Sequence, residues 1–461
     1  MTQQIIDAKK IHAILANNAV ASGSEVRDIL AKAQELQGLD LQAVGRLMTV
    51  QEDVLRQEIF AVANQVKADI YGKRVVLFAP LYVSNFCANE CLYCAFRASN
   101  KSLKRRALSS AEIEHETELL VAQGHKRILL VTGEAYPQND FQYVLDAIRT
   151  VYRIRNQRGE VRRINVNLAP LDLDDCKRLK DAGIGTYQLF QETYHYDTYC
   201  QVHSKGKKTD YTWRLTTFDR ALQAGIDDVG IGALFGLYDW RFEVLALLQH
   251  ANYLQERFGV GPHTISVPRL EPALGSELAS NPLYPVSELD FAKIIAILRL
   301  AVPYTGIIMS TREPPAVRRQ ALALGISQIS AGSRTDPGGY GDSGATDASQ
   351  FSLGDHRCLD EVVYDLATLG YIPSFCTACY RLGRTGEDFM CLAKPGKIKS
   401  LCAPNALVTF AEYLADYATS ATKAVGAKLI QTELAILSEQ QRQITEKLLA
   451  QLDTGKRDVF I

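Results

Sequence analysis

The chain has 461 residues, with 51 Lys and Arg against 52 Asp and Glu. It is long enough for one large domain with appendages, and its near-neutral balance excludes the electrostatic footprint of a nucleic-acid or anionic-membrane binder. No apolar run approaches the ~20 residues of a membrane span, and Met1-Thr2-Gln3-Gln4-Ile5-Ile6-Asp7 lacks the basic-then-apolar pattern of a signal peptide, so a cytoplasmic protein is expected.

Residues 1–70 have apolar residues at three- and four-residue spacing, through Ile11, Ile14 and Leu15 and again through Val50, Val54, Leu55, Ile59 and Phe60, which predicts helices. Ser24-Glu25-Val26-Arg27 and Thr49-Val50-Gln51-Glu52 are the expected helix starts. From 71 to 340 short β-branched runs alternate with longer amphipathic segments. The runs are Val75–Val83, Arg127–Thr132, Ile164–Leu168, Thr186–Phe190, Asp228–Phe235, Thr264–Leu270, Gly306–Ser310 and Gln328–Ala331. Strand-helix alternation predicts parallel strands with right-handed crossovers, and eight units fit a closed (β/α)8 barrel, with a six-strand partial barrel as the alternative. Gly-rich Thr335–Gly344 reads as a linker or functional loop. Residues 341–461 form a smaller, mostly helical C-terminal region, with helices over Ala406–Tyr417 and Ala427–Leu452.

Ten cysteines in such a chain argue for metal or redox chemistry rather than disulfides. Cys87, Cys91 and Cys94 follow the first apolar run with C-x3-C-x2-C spacing. Three thiolates on a tight loop suit three irons of a [4Fe–4S] cube and leave the fourth iron open; a zinc knuckle is the alternative. Cys376, Cys379 and Cys402 form a second group, C-x2-C-x22-C, interrupted by Cys391. It reads as another three-cysteine cube, or as a zinc site that also uses Cys391. Cys176, Cys200 and Cys358 stand alone, as small hydrophobes do. The other polar motifs fall after strands, where a barrel carries its catalytic groups: Thr132-Gly133-Glu134, Gln191-Glu192-Thr193, Arg269-Leu270-Glu271, Ser310-Thr311-Arg312-Glu313 and Gly332-Ser333-Arg334.

The first cysteine loop, with Tyr93 before its last cysteine, resembles that of the radical S-adenosylmethionine (SAM) enzymes. The resemblance implies that the cluster on Cys87, Cys91 and Cys94 binds and cleaves SAM. It also implies that Gly133 and Glu134, in a Gly-Gly-Glu-like turn with its first glycine replaced, meet the SAM amino group. Glu192 is the candidate for ribose or amino contacts and Arg214 for the SAM carboxylate.

With the second triad and the strings Val260–Arg269, Phe190–His195 and Ile231–Tyr238, nearly the whole chain resembles the tyrosine lyases among the [FeFe]-hydrogenase maturases. The 2-iminoacetate synthases of thiamine biosynthesis are similar across the barrel but lack the second triad. The maturase resemblance implies cleavage of the Cα–Cβ bond of L-tyrosine to p-cresol and dehydroglycine. Dehydroglycine would become carbon monoxide and cyanide at a second [4Fe–4S] cluster on Cys376, Cys379 and Cys402. There His263 would ligate a fifth iron bridged through free cysteine, and the product would be an iron–carbonyl–cyanide–cysteine unit passed on with other hydrogenase maturases. Arg312 is the candidate for the tyrosine carboxylate, with pairing to Glu313 as the alternative; Tyr82 and Ser333 are expected to line the same pocket. Clusters at opposite barrel mouths would require an internal channel. A non-catalytic iron–sulfur carrier is the competing class.

Overall fold

The computed structural model describes residues 4–17, 19–137, 140–157, 159–341 and 347–461. Eight parallel strands close into a barrel: β1 (Arg74–Ser84), β2 (Arg127–Thr132), β3 (Arg163–Asn167), β4 (Tyr187–Gln188), β5 (Val229–Gly232), β6 (Thr264–Ser266), β7 (Gly306–Met309) and β8 (Gln328–Ser330). Each pairs with its successor, and closure is the β8–β1 register Val76↔Gln328, Leu77↔Ile329, Phe78↔Ser330. All eight expected runs contain a strand. Five are shorter than the apolar runs because ladder pairing stops where the chain turns outward into the rim loops, leaving single bridges such as Glu192↔Ala233 and Phe235↔Arg269.

A ninth strand, β9 (Ile372–Ser374), adds parallel to the start of β1, Arg74↔Ile372 to Val76↔Ser374. It fixes Cys376 beneath the barrel's N-terminal mouth. The helix Lys399–Asp416 packs on β9 and carries Cys402 in its first turn, while Cys379 lies in the short helix Ala378–Arg381.

The N-terminal region forms helices Ala8–Ala16, Gly23–Gln34, Leu41–Met48 and Asp53–Tyr71, the last packed on Glu288–Ala301 outside the barrel. Two expected starts move. Ser22 rather than Ser24 caps its helix, accepting from Glu25 N; Thr49 ends one helix instead of starting the next, whose N-cap is Glu52. The terminal helix expected over Ala427–Leu452 is two, Ser420–Ile436 and Glu439–Asp453, because Ser438 caps the second with Gln441 in a reciprocal capping box. Of the Gly-rich loop, residues 342–344 lie outside the described residues, as do Met1–Gln3. Among the described residues no helix is long and apolar enough to cross a membrane.

Candidate active site

The upper site forms at the C-terminal ends of the strands. The first cysteine loop leaves β1 and is held by Arg105, whose guanidinium donates to the carbonyls of Asn85 (2.7 Å), Phe96 (2.8 Å) and Arg97 (2.5 Å). Burial pushes the thiols up, Cys94 to about 11, and Cys91 is also raised. Thiols so placed stay protonated near neutral pH unless a metal takes the proton's place. Cys87 accepts hydrogen bonds from the backbone N–H groups of Asn89 and Glu134, and Gln350 Nε2 stands 3.8 Å from Cys94 Sγ. Gly133 lies flat against this loop, donating to Ser84 O at 2.8 Å; a Cβ there would strike the Phe86 carbonyl. That close approach is why the glycine before Glu134 is retained.

Glu134 and Glu192 face the loop in a buried four-charge network. Arg214 donates to Glu134 (2.9 Å) and to the Phe190 carbonyl (2.8 Å) and lies 3.5 Å from Glu192. Lys208 donates to Glu192 (2.8 Å) and Asn89 to Glu134 (2.6 Å). Burial would raise the Glu134 carboxyl, but Arg214 and Lys208 outweigh it and hold it below its usual value. Glu192 adopts φ +71°, a left-handed conformation uncommon for a side-chain-bearing residue. Arg214 therefore has carboxylate partners inside the protein. Lys208 and Asn89, which tie the network to the cluster loop, were not singled out in the sequence; Lys208 belongs to a loop fastened there by the pairing of Glu90–Cys91 with His203–Lys205.

Beside the loop lies a cavity of about 150 Å3 lined by Tyr82, Cys94, Glu192, Arg312, Gln350 and Phe351, among others. Tyr82 donates to Gln350 Oε1 at 2.7 Å. Arg312 lies 3.3 Å from the centre of the Phe351 ring and makes no ion pair among the described residues. The partner weighed for it, Glu313, binds Arg269 instead through both oxygens. The expectation for Ser333 is corrected: it does not line this cavity, and Ser310 and Ser330 do. Its hydroxyl is buried without a hydrogen-bond partner among the described residues, because the chain bends away at Gly332 (φ +59°) after β8.

The lower site forms at the N-terminal mouth, where Cys376, Cys379, Cys402, His263, Arg74 and Tyr380 line a cavity of about 50 Å3 with other groups. Burial raises the Cys402 thiol to about 12. His263 Nε2 lies 3.1 Å from Tyr380 Oη, and Nδ1 is 3.5 Å from Asp228. Burial lowers the imidazole pKa despite Asp228, which keeps the ring neutral, as a metal ligand must be. Cys391 is exposed and lies outside this lining, so the zinc site that uses it loses its fourth ligand. Among the described residues no three His, Cys, Asp or Glu side chains converge on a single-ion site. A cube spreads its thiolates over separate irons, whereas a structural zinc ion gathers four ligands on one centre.

The two cavities lie back to back. Adjacent inward positions face them in turn: Val76 then Phe78 on β1, Arg127 then Leu129 on β2, Gly306 then Ile308 on β7, Gln328 then Ser330 on β8. Two residues of strand span ~7 Å, so one layer of side chains separates the cavities. Any internal channel would have to pass this layer, where Gly306 leaves room for the Gln328 amide, which a Cβ there would strike.

With this geometry in hand, comparison with known proteins is direct. Residues 81–251 match the Radical SAM superfamily and residues 266–372 the Biotin and Thiamin Synthesis associated domain. A crystal structure of HydG, "a maturase of the [FeFe]-hydrogenase", is 46% identical with a TM-score of 0.95, covering 99% of this chain and 100% of that one. HydG from Carboxydothermus hydrogenoformans is 44% identical with a TM-score of 0.85, over 97% and 99%. The 2-iminoacetate synthase of Salmonella typhimurium is 35% identical over 70% of this chain and 84% of its own. The chain belongs to the radical SAM superfamily and, within it, to the family of the HydG maturases. It is therefore an enzyme of a class that uses a [4Fe–4S] cluster and SAM, and the HydG likeness extends through the region of the second triad.

Proposed function

We propose that the enzyme cleaves the Cα–Cβ bond of L-tyrosine to p-cresol and dehydroglycine, and converts dehydroglycine to carbon monoxide and cyanide for [FeFe]-hydrogenase maturation. Cys87, Cys91 and Cys94 would hold the SAM-binding cluster, and Cys376, Cys379 and Cys402 a second cluster with His263 beside a fifth iron and free cysteine. Bound there, the first cluster and SAM supply a 5′-deoxyadenosyl radical.

The remaining roles belong to the chain's own residues. Gly133 and Glu134 receive the SAM amino group, with Glu192 and Arg214 completing the SAM-binding wall. Arg312 binds the tyrosine carboxylate, because a guanidinium lining a cavity without an ion-pair partner among the described residues gains most from a carboxylate it can hold bidentately. Tyr82, held by Gln350, bounds the substrate on the cluster side. The segments 1–70, 71–340 and 341–461 act as cap, catalytic barrel and auxiliary-cluster region.

The observation that carries this reading is the presence of two three-cysteine sites at opposite mouths of one barrel, each beside a cavity, with one layer of side chains between the cavities. A 2-iminoacetate synthase reading leaves the lower triad without a task, and a carrier has no use for an Arg312 without an ion pair in a cavity beside the cluster loop. Anaerobic turnover with SAM, reductant and L-tyrosine tests the proposal. It predicts p-cresol, cyanide and carbon monoxide together; p-cresol alone would favour the synthase, and no p-cresol from fully clustered protein would refute tyrosine cleavage.

A further inference from the structure

Beneath the lower cavity a surface groove of about 810 Å3 opens between the end of helix Asp53–Tyr71 and the helices Lys399–Asp416 and Ser420–Ile436. Two residues line both spaces: Tyr71 and Arg74. They form a two-sided wall. The Arg74 guanidinium lies 4.9 Å from the centre of the Tyr71 ring, and its Nε is buried with no hydrogen-bond partner among the described residues. Tyr71 donates its hydroxyl to the Tyr304 carbonyl. The groove is otherwise apolar, with Leu401 and Leu437 on its walls, yet its charged lining is Lys73, Arg74, Lys397 and Lys399 against one acid, Glu433. Glu433 is taken by Lys73 at 2.8 Å, whereas Lys397 and Lys399 make no ion pair among the described residues.

A positive funnel with low-dielectric walls concentrates anions at its base, and at this base stands the back of the three-cysteine cavity. The Gln328 layer lies on the barrel side of that cavity, and the Tyr71–Arg74 wall stands between it and the groove. We propose that this wall is a portal through which small anions, such as an amino-acid carboxylate or an anionic metal complex, enter and leave the lower site without crossing the barrel. The proposal rests on the reading that Cys376, Cys379 and Cys402 hold a cluster with an open iron.

Sodium azide, an anion at neutral pH, serves as the probe, mixed anaerobically with full-length protein carrying Cys87→Ala, Cys91→Ala and Cys94→Ala, so that only the lower cluster is present. Iron content and the reduced-cluster EPR signal before mixing report assembly, and the change of that signal with time reports arrival of the anion. Ile436→Trp and Leu437→Trp fill the groove from its Ser420–Ile436 wall, away from the triad. Each is expected to keep the starting signal and to slow the change by about tenfold or more; Lys397→Ala/Lys399→Ala is expected to slow it about tenfold at low salt and to flatten its ionic-strength dependence. Wild-type rates in both groove-filled proteins would overturn the portal, as would slowing by Ser330→Phe, which fills the barrel side. A starting signal that azide leaves unchanged in the unfilled protein would instead overturn the open-iron reading, and the portal with it.

Discussion

At the scale of residues, Arg312 illustrates how a distant ion pair decides a side chain's role. Arg269 binds Glu313, and the cation one residue earlier is left facing a cavity with an aromatic ring beneath it. Hydrogen bonds to a charged group contribute about 1.5–3 kcal/mol. Arg312→Leu is accordingly expected to lower kcat/KM for tyrosine by about 10- to 100-fold while SAM binding, measured separately by equilibrium titration, is kept. Equal loss of both would contradict a substrate role. His263 and the Thr-Gly-Glu turn stood out only through the family resemblance, whereas the cysteine spacings were legible in the sequence itself because each is set locally. The Arg269–Glu313 pair and the Lys208–Glu192 pair were not, since their partners meet only when separate rim loops converge. Ser333 was misplaced for a related reason: position after a strand gives proximity to the rim, but the turn at Gly332 decides direction.

At the scale of elements, helix Trp240–Phe258 fastens the loop that carries Glu192. Its Glu243 accepts from the Thr193 hydroxyl and, at 2.8 Å, from Tyr194 N. Burial raises the Glu243 carboxyl to about 7. The folded protein thus binds this proton more tightly than the unfolded chain, so its contribution to stability is full below pH ~4.5 and is lost as pH rises through about 7. Glu243→Gln is expected to raise Tm at pH 8 relative to wild type and to bring little change at pH 4.5; a Tm difference independent of pH would contradict the linkage. The layer between the cavities gives a second prediction. Gly306→Val crowds Gln328 and should lower carbon monoxide and cyanide formed per p-cresol while p-cresol output is maintained. An unchanged ratio would mean that the intermediate does not cross this layer.

At the scale of the whole molecule, a parallel barrel gives one enclosed interior with two mouths, and this chain equips both. The eight apolar runs announced the barrel because buried parallel strands must be continuously apolar. What they could not announce was β9, three residues long, whose pairing to the overhanging start of β1 brings the C-terminal cysteines beneath the barrel. The lower site owes its position to that short ladder rather than to any motif.

The central claim is a division of labour between the two triads. The measurement that tests it most directly is product analysis of a Cys379→Ala/Cys402→Ala protein beside wild type, under anaerobic turnover with SAM, reductant and L-tyrosine. The account predicts that the variant keeps making p-cresol and loses carbon monoxide. Undiminished carbon monoxide, or loss of p-cresol in a variant whose first cluster is intact by EPR, would contradict it.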